Sequence, residues 1–170
     1  MTRPGAPVGF GPLLMVLAVP ASLPGLGSLA APAVGLAAMA LGAQVALGRV
    51  TPWIPEQARR WLTPGPGLRP LVRKVLRGLR RARRVPMPSL PSWLVGAAVV
   101  WTGFLLLLPL AIVPLSNTLP ALALGLLGGG LNPSRSALGW LGLGLSGAFT
   151  ACLALIGDLI LATLAALLRN

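Results

Sequence analysis

The sequence has no histidine and no tyrosine, a single cysteine and only two acidic residues, Glu56 and Asp158. Each shortage removes a class of chemistry. The two acids stand in unrelated contexts, so no carboxylate pair exists for glycoside hydrolysis and no acidic cluster for metal-dependent glycosyl transfer. A serine or cysteine nucleophile would lack a histidine base. Cys152 lies in an apolar run, which excludes an intrachain disulfide, a CxxC motif or a thiolate metal site and leaves it as an inert packing residue. The chain is therefore expected not to be an enzyme and to carry no catalytic residue, metal or cofactor.

Charge is also scarce. Charged residues make up 9% of the chain, against about 25% in globular proteins. What fills their place is apolar: 55% of the residues are hydrophobic and the mean hydropathy is +0.85. This composition belongs to a bilayer chain forming one membrane domain. The 22 glycines and 18 prolines sit among Leu, Ala and Val, where close helix packing and interrupted helices explain them better than a flexible linker does.

The fourteen basic residues give a net charge of +12 and are unevenly placed, eleven of them between Arg49 and Arg84. They divide the chain into a first hydrophobic helical hairpin (8–48), a basic amphipathic connector (49–92) and a second hydrophobic half (93–168). In the connector, Leu68, Leu71, Val72, Val75, Leu76 and Leu79 recur at helical spacing, while Arg73, Lys74, Arg77, Arg80, Arg81, Arg83 and Arg84 cover the other faces. Such a helix lies in the headgroup boundary, with Trp53 and Trp61 as interfacial anchors. Anionic lipid headgroups are its expected partner, rather than nucleic acid. Short loops rich in Lys and Arg stay on the cytoplasmic side, which puts the connector inside.

The apolar run from Val8 to Gly48 is too long for a signal-peptide core and is expected to be mature membrane structure. It is long enough for two passages, or for one passage and a re-entrant piece. Pro20, Pro24 and Gly25 mark a break, with a turn over Ala21–Gly25 and a second helix from about Leu26 to Leu47. Gly35, Ala38, Gly42 and Ala46 give that helix a close-packing face. Gln44, near its end, is either an interhelical hydrogen-bonding group or a solute ligand.

In the second half, Trp93–Val113 is expected to span the bilayer. The polar break Ser116-Asn117-Thr118 follows, between Pro114 and Pro120. Polar groups at that depth cost roughly 2–7 kcal/mol unless partnered. Leu119–Leu127 is too short to cross, so it is either a half-helix or a helix continuing through Gly128-Gly-Gly130. Leu138–Leu168 is too long for one upright span, and Ser146-Gly147 is its expected break. Asp158 is either a functional carboxylate with Arg135 as its partner or a structural one.

The two halves resemble each other, each with an apolar run, a proline break and a small-residue helix. The expected fold is an all-α, polytopic integral membrane bundle with broken or re-entrant helices related by a two-fold inverted repeat. The segments Gln44-Val-Ala-Leu-Gly-Arg49, Pro52-Trp-Ile-Pro55 and Ser116-Asn-Thr-Leu-Pro-Ala121, with the basic connector between them, resemble the ExoD family of bacterial exopolysaccharide synthesis proteins over Val8–Leu168. The chain departs from the family pattern in lacking a further polar N-terminal segment, so that a truncated start is expected. It also has Asn132-Pro-Ser-Arg135 where members carry an acidic turn. The resemblance implies an inner-membrane protein of exopolysaccharide production and supplies no catalytic residue.

Two functions remain open. The first is transport of an ion or small solute through the paired broken helices, with Ser116, Asn117, Thr118, Gln44, Asp158 and Arg135 as candidate binding residues. The second is a non-catalytic structural or interaction component of the polysaccharide-synthesis machinery. The small-residue faces lead to the expectation of a homo-oligomer, most simply a dimer.

Overall fold

The computed structural model describes residues 9–23, 26–53, 87–108, 117–132 and 135–169. Pro24, Gly25, Trp61, the connector residues Arg73–Arg84, Pro114 and Ser116 lie outside the described residues. Every described element is helical: α1 (Phe10–Ser22), α2 (Leu26–Ala46), α3 (Ser92–Leu107), α4 (Thr118–Gly130) and α5 (Ser136–Arg169).

Proline position decides where these helices begin and end. Pro12 and Pro120 each occupy the third position of their helix, where a backbone N–H would have no acceptor within the helix. Pro120 therefore lies inside α4, not at a break. Pro20 falls in the last turn of α1, which still runs to Ser22, two residues into the expected turn. There the Ser22 hydroxyl donates to the Val19 carbonyl at 2.8 Å. Helix α3 stops at Leu107, short of the expected Val113, because Leu108 precedes a proline and takes an extended conformation (φ −68, ψ 123).

Glycine terminates α2. Gly48 has φ 72, its N–H donates to the Val45 carbonyl, and the Arg49 N–H donates to the Gln44 carbonyl, both at 3.0 Å. That double bond pattern is a Schellman cap, in which a side chain at position 48 would be strained. By contrast, α4 passes through its three glycines and ends at Gly130. Helix α5 is continuous over 34 residues, and the expected break at Ser146-Gly147 is absent. Neither residue removes a backbone donor, so nothing obliges the helix to stop there.

Packing depends on close backbone approach. Antiparallel α2 and α3 meet at two close glycine contacts: a Cβ on Gly35 would stand 2.6 Å from the Gly103 carbonyl oxygen, and one on Gly42 2.9 Å from that of Gly96. The seven-residue spacing on both helices keeps the contacts in register over two turns. The small-residue face expected on α2 is thus buried within one chain and is not left free for a second copy. Helices α1 and α4 cross antiparallel at Gly11 and Gly128, and α4 packs back along α5 at Gly130 and Gly139. Leu14, Val99, Leu124, Leu127, Ala38 and Ala121 are fully enclosed where these pairs join.

Among the described residues only α5 is long and apolar enough to cross a membrane, and its most apolar window contains no buried residue. The other helices are apolar but shorter over their described side chains. Phe149 is the last buried residue of α5.

Candidate functional site

Helices α1 and α4 have 13 residues each, about 20 Å at 1.5 Å per residue. Each is too short to cross a bilayer about 30 Å thick. They pair with each other more closely than side chains would allow: the Gly128 carbonyl oxygen would lie 2.7 Å from a Cβ on Gly11, and the Gly11 oxygen 2.9 Å from one on Gly128. This is the geometry of two half-length helices held back to back.

At the Gly11 end a half-open cavity of about 460 Å³ is lined by both the start of α1 and the end of α4. Phe10, Pro12, Met15, Val50 and Leu131 form its apolar wall, and Asn132 and Arg135 supply its polar side chains. Gly9 caps α1 without a side-chain hydrogen bond, so the helix dipole adds partial positive charge to the same wall. Arg135 is the only charged lining residue among the described residues. Its guanidinium makes no hydrogen bond or ion pair with another side chain among the described residues.

The candidate residues are not gathered into one site. Asn117 and Thr118 are partly buried at the start of α4, a full helix length of about 20 Å from Arg135. Asn117 accepts a hydrogen bond from Ala121 N–H through its backbone carbonyl at 3.0 Å, and its side chain does not cap the helix. Asp158 is exposed on α5, about 34 Å along the helix axis from Arg135. Because α5 is unbroken, the expected Asp158–Arg135 pair does not form within the chain.

Gln44 has a third role. Its Oε1 accepts from the Trp53 N–H at 2.6 Å, and its Nε2 donates to the carbonyls of Trp53 and Ala40, both at 3.2 Å. The amide pins the segment after the Gly48 turn against α2, and the partners it has here are backbone groups of Ala40 and Trp53 rather than another helix. Trp53 is thereby held 66% exposed.

Trp53, Trp93, Trp140, Arg49 and Arg135 all lie at the same end of the bundle, near the start of α1 and the end of α4. The Trp140 indole donates to the Pro88 carbonyl at 3.1 Å, and the Ser136 hydroxyl to that of Met87 at 2.6 Å. These bonds attach the start of α5 to the segment leading into α3. Exposed indoles beside arginines are the chemistry of a membrane–water boundary.

One polar cluster was not evident in the sequence. The buried hydroxyls of Thr102 and Ser146 lie 3.0 Å apart between α3 and α5, and Thr102 also donates to the Ala98 carbonyl at 2.7 Å. One turn further along α5, Thr150 donates to the Ser146 carbonyl at 2.9 Å and accepts from the Trp101 indole at 2.8 Å. Singly, these residues look like neutral small positions, and only the packing of α3 on α5 brings them together. Each group in the cluster has a hydrogen-bond partner, so it joins α3 to α5. A second, wholly apolar groove beside Met39, Trp101 and Phe104 offers nothing for polar recognition.

Among the described residues no three of His, Cys, Asp or Glu come together. What the arrangement offers is a cationic recess with apolar walls at the end of a half-length helix pair. A family model described as "Exopolysaccharide synthesis, ExoD" matches residues 6–155. No curated protein and no solved structure matches the chain.

Proposed function

The chain belongs to the ExoD family of exopolysaccharide synthesis proteins, and from that premise we propose that it serves exopolysaccharide synthesis as a multi-pass inner-membrane transporter of an ion or small solute, without catalysis of its own. The observation that carries this reading is the antiparallel α1–α4 pair. Each helix has 13 residues and a proline at its third position, and each is followed by a longer apolar helix, α2 after α1 and α5 after α4. That repetition supports an inverted repeat whose interrupted helices meet at the centre of the bundle, the arrangement around which transporters bind their solutes. The end carrying Arg49, Arg135 and the exposed tryptophans faces the cytoplasm, next to the basic connector and its anionic lipids.

Vesicles reconstituted with the full chain are expected to release potassium, chloride or phosphate faster than empty vesicles. Asn117→Ala, at the start of α4, is expected to slow that release. Release equal to that of empty vesicles for all three, in a protein that still restores polysaccharide output to a deletion strain, would overturn the transport reading. The second reading, a structural component of the synthesis machinery, would then hold. It is favoured by the second half of α5, where Leu155, Leu159, Leu161, Leu167 and Leu168 are all exposed and available to a partner protein or a second copy.

A further inference from the structure

We propose that the cavity between the start of α1 and the end of α4 binds a phosphate-bearing amphiphile, with the Arg135 guanidinium on its phosphate and the wall of Phe10, Met15, Val50 and Leu131 against its hydrocarbon. The inference goes beyond the transport reading, since the cavity can hold such a molecule whether or not the helix pair passes a solute.

Three observations lead to this ligand class. The first is charge: Arg135 is the only charged residue in the lining among the described residues, and Asp158, the one carboxylate among them, lies about 34 Å away along α5. A partly buried guanidinium with no counter-ion among the described residues calls for an anion, and its planar fork of donors matches a phosphate or carboxylate bidentately. The second is the wall, which among the described residues is mostly apolar and supplies only Asn132 as a further polar side chain. A free inorganic anion would keep most of its oxygens unpaired there, whereas an amphiphile places one polar end on the arginine and its chain on the wall. The third is position. The cavity is half-open and lies at the end of the bundle that carries the exposed tryptophans and Arg49, the depth at which lipid headgroups sit. A volume of about 460 Å³ holds a headgroup and the first carbons of a chain, and the open side lets the remainder leave.

The test is equilibrium binding to the purified full chain in a neutral detergent. The probes are dioctanoyl phosphatidic acid, dioctanoylglycerol with the same chains and no phosphate, and inorganic phosphate. Phosphatidic acid is expected to bind saturably, dioctanoylglycerol at least about tenfold more weakly, and inorganic phosphate to compete only at far higher concentration. Arg135→Gln should weaken phosphatidic acid binding about ten- to hundredfold, as expected for loss of a charged hydrogen-bonding partner. Arg135→Lys, which keeps the charge but not the fork, should fall in between. Val50 is 90% exposed, so Val50→Asp puts a repelling charge on the rim with the core untouched. It should weaken binding at an unchanged melting temperature, which keeps the test decisive even if the Arg135 variants fold poorly. Equal affinity in the wild type and in Val50→Asp, or equal binding of dioctanoylglycerol, would overturn the proposal. Inorganic phosphate binding as tightly as the lipid would assign the cavity to the free anion and overturn the amphiphile.

Discussion

Gln44 shows what a single residue's neighbours do to its meaning. A polar amide near the end of an apolar helix suggests a partner on another helix, yet its partner is the backbone of Trp53, nine residues on. Gly48 makes the difference: its left-handed conformation turns the chain back so that Trp53 returns alongside Gln44. The sequence displays Gly48 and Gln44 plainly but not the fold-back that joins them, because the path after a cap depends on what the following residues pack against. Gln44→Ala is expected to release Trp53, and hydrogen exchange at the Trp53 amide should speed up markedly. Gln44→Glu retains the accepting oxygen and should keep that amide largely protected, while losing the donation to the Trp53 carbonyl. Arg135 was visible in the sequence as an isolated charge. Its setting was not, since the cavity walls come from residues at both ends of the chain.

At the level of helices, composition gave the elements and position gave their limits. The run Trp93–Val113 looks like one span by hydropathy alone, but the proline after Leu108 ends α3 early. Pro120 looks like a break by residue type, but its place in the first turn makes it harmless. Ser146-Gly147 looks like a break by length, but α5 runs through it, and Ser146 is a hydrogen-bonding contact to α3. Glycines divide in the same way. A Cβ on Gly96 would run into the backbone of Ala46, whereas one on Gly147 meets nothing within 4 Å. Gly96→Val is therefore expected to pry α2 from α3 at a cost of about 1–3 kcal/mol. Gly147→Ala is expected to stabilise α5 by roughly 0.5–1 kcal/mol through helix propensity. Melting of the two variants in detergent should move in opposite directions. A fall for both would mean that α5 does bend at Gly147.

The whole molecule is a short bundle with one long member. At 34 residues, α5 is about 51 Å long, and even at a tilt of about 40° it would project roughly 39 Å, more than a bilayer core of about 30 Å. Its first half packs on α3 and α4, while beyond Phe149 its side chains leave the core. The family match ends at residue 155, within that exposed half. An unbroken α5 has a direct topological result. With the exposed Cys152 replaced by Ala, cysteines at Asn132 and Leu168 should react with an impermeant maleimide from opposite faces of the membrane. Reaction from the same face would require α5 to fold back.

The α1–α4 crossing also sets an order of events during synthesis. Gly11 leaves the ribosome well before Gly128, which closes on it. Until then α1 has only α2 to lean on, and neither Arg135 nor the α4 side of its recess has been made. The nascent chain must therefore hold an incomplete, apolar-sided hairpin in readiness while the connector and α3 are made. A chain stalled before α4 would present that hairpin to lipid or to quality-control proteases, because the contact that completes the fold joins residues far apart in the sequence.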